Sequence, residues 1–271
     1  MTHLLQTEWL KMHKYKAFWW MAAIIVLSYP GINYLIFQGF QEMTRENTER
    51  AMLVKMIIGN PFTFPEVWHT VAYFSSLFVF IPAVIIIMFI TNEYTFKTHR
   101  QNIIDGWSRG EFLTSKLIDV VIVSLITTAL YTLVALIIGL VNKGDTNVNI
   151  WSGTQYIGLF ALQTFAQLSI AFVIAFLVRK AFIALGIFLC YFMVVENIIV
   201  VLGKVKADDA GRFMPIEISD RIIPPPAFWN RVDAEAYKTS LANINLYVVL
   251  TILLTAAVWG LCYSINKKRD L

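Results

Sequence analysis

Six apolar stretches constrain this chain more than any other feature: Ala17–Phe37, His69–Thr91, Leu117–Val141, Thr154–Leu177, Ala181–Leu202 and Ile244–Ile265. A helix crosses the hydrocarbon core of a bilayer with about 20 apolar residues, so each stretch is read as a membrane-spanning helix. The composition agrees. Hydrophobic residues make up 58% of the chain and charged residues 15%, where a soluble domain carries about 25% charge. Little sequence remains for a soluble domain once the spans are set aside. The expected fold class is an all-α integral membrane protein with six transmembrane helices, forming one domain over residues 1–271. Pro30 and Pro82 fall inside the first two spans and predict kinks, tolerated where neighbours re-satisfy the freed carbonyls. The first apolar run exceeds the roughly 7–15 residues of a signal-peptide core, so it is expected to stay as a span.

Orientation follows from Lys and Arg. With the N-terminus inside, the inside segments hold Lys11, Lys14, Lys16, Lys97, Arg100, Arg109, Lys116, Arg179, Lys180, Lys267, Lys268 and Arg269. The remaining ten basic residues are spread over longer outside segments, and the bias places both termini in the cytoplasm. The net charge of +4 is explained by this topology and does not point to nucleic acid. Leu5, Trp9 and Met12 share one helical face among lysines, which predicts an interfacial helix over residues 1–16 lying against anionic lipid. On the outside, a helix is expected over Glu42–Ile58, stopped by Asn60-Pro61. The segment Gly203–Asn243 carries six basic and six acidic residues and the run Pro224-Pro225-Pro226. It cannot be one helix and is expected to fold as an external cap.

Catalytic chemistry is hard to find. His3, His13, His69 and His99 are scattered, with no HExxH pair and no accompanying carboxylates. His69 and His99 are expected to be solvated. Cys190 and Cys262 lie in apolar spans with no metal-ligand spacing. No GxxxxGK[ST] loop occurs; Gly203-Lys204 lacks both the upstream glycine and the following hydroxyl. No cofactor or metal is expected on this chain. Two carboxylates enter spans. Asp119 is expected to meet Lys116 or water. Glu196, about 15 residues into the fifth span, must find a partner, be protonated or face a cavity. With Asn197, Phe74 and Phe78 it is a candidate for the translocation path. The plainer alternative is that the helix breaks at Glu196-Asn197 and Glu196 caps a following external helix. Trp19, Trp20, Trp68, Trp151 and Trp259 are expected mostly at the interfaces.

Between spans two and three lies a polar island, Asn92–Lys116, with four basic residues, three acidic residues and a histidine. Glu93 to Asp105 can form a helix, and Gly106 can end it. Tyr94, Phe96, Ile103, Ile104 and Trp107 supply apolar anchors, and Arg100 and Arg109 supply charge. Protein interfaces concentrate energy in such aromatic and arginine residues. Arg179-Lys180 makes a second, smaller polar turn on the same side.

The N-terminal MTHLLQTEWLKMHKYKAFWW, the six spans, the NEYTFKTHRQNIIDGWSRGEFLTSKL loop and the long segment between spans five and six together resemble the permease subunit of a type-2 ABC exporter. Within that family the chain is most similar to the lantibiotic-immunity and drug-export permeases of bacteria. The resemblance implies an elbow helix before span one. It also implies a coupling helix that begins near Glu93, a turn at Arg109 and a downstream Lys116. It implies ATPase docking on Glu93, Tyr94, Phe96, Arg100, Ile103, Ile104, Gly106, Trp107, Arg109, Arg179 and Lys180. The expected partners are an ABC ATPase that carries ATP and Mg, a second permease, identical or different, and the bilayer. The expected place is the bacterial plasma membrane. A stand-alone carrier or channel, or a membrane scaffold recruiting partners through its external loops, are the alternatives.

Overall fold

The computed structural model describes residues 14, 16–45, 49–104, 106–142, 149–206, 209–231 and 233–268, and among these every regular element is helical. The α-helices are α1 (Lys16–Arg45), α2 (Glu49–Ile58), α3 (Glu66–Ser76), α4 (Phe80–Thr95), α5 (Thr98–Ile104) and α6 (Arg109–Val141). They continue as α7 (Gln155–Val178), α8 (Ala181–Cys190), α9 (Glu196–Lys206), α10 (Pro215–Asp220), α11 (Ala234–Ala242) and α12 (Ile244–Lys268). A π turn, Tyr191–Val195, joins α8 to α9 without a break, and short 3-10 turns occupy Ala210–Phe213 and Ala227–Arg231. The interfacial helix expected over residues 1–16 lies outside the described residues, apart from Lys14 and Lys16.

Helices α1, α6, α7, α8–α9 and α12 are each long and apolar enough to cross a membrane, and α3 with α4 makes a sixth span bent by 48°. The chemistry of the bend is visible in its hydrogen bonds. Pro82 has no N–H to return to the Phe78 carbonyl, and Ile81 N–H takes that carbonyl instead (3.0 Å), tightening the turn. The expected kink therefore falls at Leu77–Val79, one turn before the proline. Pro30, by contrast, lies inside the uninterrupted helix α1. That helix runs on to Arg45, so the helix expected to start at Glu42 starts instead at Glu49.

The core is centred on α7, 61% of whose apolar window is buried against 17% for α8–α9. It packs on α3, α4, α6, α8, α10 and α12. Ala166, Ser169, Ala171 and Ala175 are buried along it, and such small residues let membrane helices approach closely. Trp259 of α12 stacks on Phe172 (4.6 Å) and donates from Nε1 to Ser169 Oγ (2.9 Å). Trp68 is fully enclosed, donating to the Ile150 carbonyl (2.8 Å). These two tryptophans are core residues with satisfied N–H groups, whereas Trp19, Trp20 and Trp151 are exposed.

The segment after α9 does more than cap the molecule. It turns back beside α9, where Gly211 comes so close that a Cβ there would sit 2.5 Å from Val200 Cα. A Cβ on Gly203 would sit 2.5 Å from Gly211 N. Two glycines are what permit this contact. Helix α10 then lies between α7 and α12, level with Gln163, Gln167 and Thr251. These residues are roughly 10–17 Å along their helices from the nearer ends at 1.5 Å per residue. The chain leaves at Pro224, whose carbonyl is 2.7 Å from His69 Nε2.

Candidate functional site

At the end of the molecule that carries α5, the polar island divides into three parts. Its first four residues complete α4, its middle is α5, and Arg109 onward belongs to α6. Helix α5 is therefore shorter than the Glu93–Asp105 helix expected. The chain turns between α4 and α5 at Lys97, in the left-handed region (φ 57°). At the far end Trp107 N donates to Asn102 O (3.0 Å) and Gly106 N to Ile103 O (3.0 Å), with Gly106 at φ 95°. This is the Schellman stop that glycine favours. Ser108 then opens α6 with a capping box: Ser108 Oγ accepts from Glu111 N (3.2 Å), and Glu111 Oε2 accepts from Ser108 N (2.8 Å). The S-x-x-E spacing that marks this start is legible in the sequence.

Under α5 lies a buried ionic group. Lys116 Nζ is 2.8 Å from Glu93 Oε1 and 3.4 Å from Asp119 Oδ2, with side-chain exposures of 1%, 5% and 0% respectively. Glu93 thus turns inward, which corrects its assignment to a docking surface. Its backbone carbonyl has a second task. Thr98 Oγ1 donates to it (3.4 Å) and His99 Nδ1 lies 3.1 Å from it. His99 also packs against Tyr94 (4.7 Å), so it is structural and half-buried instead of merely solvated. One residue ties the first turn of α5, the end of α4 and the start of α6.

The remaining expected docking residues separate by exposure. Phe96 and Ile104 are 67% and 78% exposed, and Arg100, Gly106 and Lys180 are exposed with them. Tyr94, Ile103, Trp107, Arg109 and Arg179 are half-buried. The Arg179 guanidinium sits over the Tyr94 ring (4.8 Å), joining the α7–α8 turn to this loop. Arg109 donates to the Lys267 carbonyl (3.0 Å), and Asn266 Nδ2 donates to the Arg109 carbonyl (2.7 Å). The arginine therefore clamps the end of α12, and its charge is partly committed there.

At the opposite end, Glu196 caps a helix as the plainer reading held, but with its own helix intact. Its Oε1 accepts from Ile216 N (2.7 Å) and Glu217 N (2.7 Å), the first amides of α10. The π turn before it widens the helix by one residue and sets the carboxylate toward α10. Asn197 Nδ2 donates to the Phe192 and Met193 carbonyls of that turn (3.1 Å each). Sequence patterning gave no sign of the π turn, because its residues are as apolar as their neighbours.

Glu196 and Asn197 line a cleft of about 150 Å3 between α9, α10 and the α3–α4 bend, together with Ser76, Glu217 and Asp220. Phe74 and Phe78 are half-buried near the bend, outside the lining of this cleft. An outer cleft of about 650 Å3 shares Glu217 and Asp220 and opens toward α11. Asp220 Oδ1 accepts from Gln163 Nε2 and Gln167 Nε2, both at 2.7 Å. Asp220 is itself exposed at the cleft wall, and the packed helices around it push its carboxyl up, the Gln163 amide opposing the rise and the Glu217 carboxylate adding to it. Asp220, Gln163 and Gln167 were missed above because nothing in the sequence says that residues 209–224 fold back among the spans. His69 is buried, stacked on Tyr156 (4.2 Å) and bonded to Pro224, which overturns its expected solvated state.

Among the described residues no group of His, Cys, Asp and Glu side chains converges as a metal site. No curated protein matches the chain. A family model described as ABC-2 family transporter protein matches residues 4–195. That stretch carries α1 through α8 and the whole α5 loop. The chain belongs to the ABC-2 family of transporter proteins and is a multi-pass, all-α membrane permease of an ABC transporter.

Proposed function

We propose that this chain is the export permease of an ATP-driven transporter in a bacterial plasma membrane, powered by a separate ATPase that docks on α5 and the α7–α8 turn. The observation that carries this reading is the build of α5. It is a short helix fixed at both ends, with two exposed apolar side chains, Phe96 and Ile104, beside the exposed Arg100. A helix so fixed moves as a unit when its tip is pushed. Its root, Glu93, is joined to α6 through Lys116, so displacement of α5 acts on spans two and three together. ATP and Mg belong to the ATPase; this chain supplies the grip and the path. A second permease completes the path, and nucleotide biases the pair between inward- and outward-facing states. The substrate is hydrophobic or amphipathic.

The test is reconstitution with each candidate ABC ATPase from the same genome. The chain alone in liposomes is expected to hydrolyse no ATP and to move no substrate. The two together are expected to do both. Proton-driven transport by the chain alone would favour the carrier alternative and end this reading.

A further inference from the structure

The paired clefts beside α10 carry more carboxylates than cations on their walls. Their walls carry Glu196, Glu217, Asp220, Asp209, Asp233 and Glu235 against two cations, Lys204 and Arg221. Arg221 is already committed, at 2.7 Å from Glu217 Oε1 and 3.1 Å from Asp209 Oδ2. It neutralises neither Glu196 nor Asp220.

A second observation points to a ligand. Glu196 is 3% exposed, and while its Oε1 takes two backbone amides, its Oε2 meets no donor within hydrogen-bond geometry among the described residues. The Tyr191 hydroxyl interacts with the Glu196 carboxylate, but from outside strict hydrogen-bond geometry at Oε2. Gln163 and Gln167, outside the cleft lining, hold Asp220 Oδ1 at the cleft wall at 2.7 Å each. Leaving the Glu196 Oε2 acceptor unmatched in a low-dielectric interior is costly. A primary ammonium brings three donors and one positive charge in a small volume. The described side chains offer no metal-binding triplet, and the same inner cleft has apolar walls at Leu77, Phe192 and Val200. That combination suits an alkyl chain ending in an amine.

We propose that the inner cleft between α9, α10 and the α3–α4 bend binds the protonated amine of an amphipathic substrate, with Glu196 and Asp220 as its charged partners. This deepens the export reading by naming the chemistry of the cargo, and it rests on that reading only for the word cargo. The outer cleft, with its excess of carboxylates, attracts the same charge toward or away from the inner one.

The test is equilibrium binding of radiolabelled dodecylamine to the full chain in phosphatidylcholine nanodiscs, without nucleotide or ATPase. Dodecyltrimethylammonium, which has the charge but no N–H, is the comparison. Saturable binding of the amine is expected, at least tenfold tighter than the quaternary ion. Glu196→Gln keeps an oxygen for the α10 amides and puts a donor where Oε2 was. It is expected to weaken amine binding at least tenfold, with amide exchange at Ile216 and Glu217 unchanged as the check that α10 is still capped. Asp220→Asn is a second, independent variant expected to act in the same direction. Non-saturable uptake, equal binding of the two probes, or unchanged binding in both variants would overturn the proposal. Saturable amine binding by a chain that exports nothing with its ATPase would uphold the site and remove the export reading. Export without saturable amine binding would do the reverse.

Discussion

Replacing Lys116 by methionine tests the ionic root of α5. The ammonium stands between two carboxylates, 2.8 Å from Glu93 and 3.4 Å from Asp119, and all three side chains are at most 5% exposed. Methionine matches the length of the stem but leaves the two carboxylates facing each other in a dry site. Removing one partner from a buried ion pair costs about 3–5 kcal/mol, because the other charge stays buried without compensation. That is roughly two to three and a half powers of ten in the folded fraction. The variant Glu93→Leu/Lys116→Met/Asp119→Leu removes all three charges together, and hydrophobic residues of similar volume in place of a buried ion triad are often nearly neutral in effect. Equilibrium unfolding in mixed micelles of rising SDS content reads both. The single variant is expected to lose most of its resistance to SDS and the triple variant to regain most of it. Transport is expected to stay impaired in the triple variant, since the ionic link from α4 to α6 is gone. A single variant within about 0.5 kcal/mol of the parent, the usual range for surface substitutions, would refute the reasoning. So would a triple variant no better than the single.

Gly106→Ala forces a Cβ into a left-handed turn (φ 95°) and is expected to cost about 1–2 kcal/mol, read as weaker co-purification of the ATPase with little change in membrane insertion. Glu196→Ala strips the cap from the amides of Ile216 and Glu217. A loss of about 1.5–3 kcal/mol is expected for hydrogen bonds to a charged group, seen as faster hydrogen exchange at those two amides, which Glu196→Gln does not share. Gly211→Ala puts a Cβ against the Val200 backbone and is expected to raise exchange throughout α10. Amine binding is expected to weaken as pH falls and Asp220 takes up a proton. Asp220, whose carboxyl is pushed above the usual carboxylate range, must ionise to hold an ammonium, with Glu217, Glu196, Arg221 and Tyr73 as the charged and titratable groups around it. Asp220→Asn should flatten that pH profile.

The spans were legible because a bilayer demands one thing of a helix, and about 20 apolar residues announce it. Gly106 was legible for a similar reason: few residues other than glycine end a helix in a left-handed turn. Glu93 was misjudged because a carboxylate at the end of an apolar run looks like the start of a polar loop. Whether it points outward depends on Lys116, which lies 23 positions on and reaches back across two helices. The length of α5 was overestimated for the same reason, since α4 had first to finish its last turn around that pair. Asp220 and its two glutamines became neighbours only through the return of residues 209–224. That return depends on a backbone contact between Gly211 and Val200, which leaves no periodic trace. His69 and Trp259 looked interfacial by type and proved buried, each with its ring nitrogen satisfied by a partner 155 or 90 positions away.

The central claim is that a separate ATPase grips this permease at α5. Its most direct measurement is the ATPase activity that purifies with the tagged chain from cells expressing both proteins. Arg100→Ala, Ile104→Ala and Trp107→Ala combined are expected to abolish that activity while leaving the yield of folded permease unchanged. Trp151→Ala, an exposed residue at the other end of the molecule, is expected to retain it. Full activity in the triple variant would contradict the account.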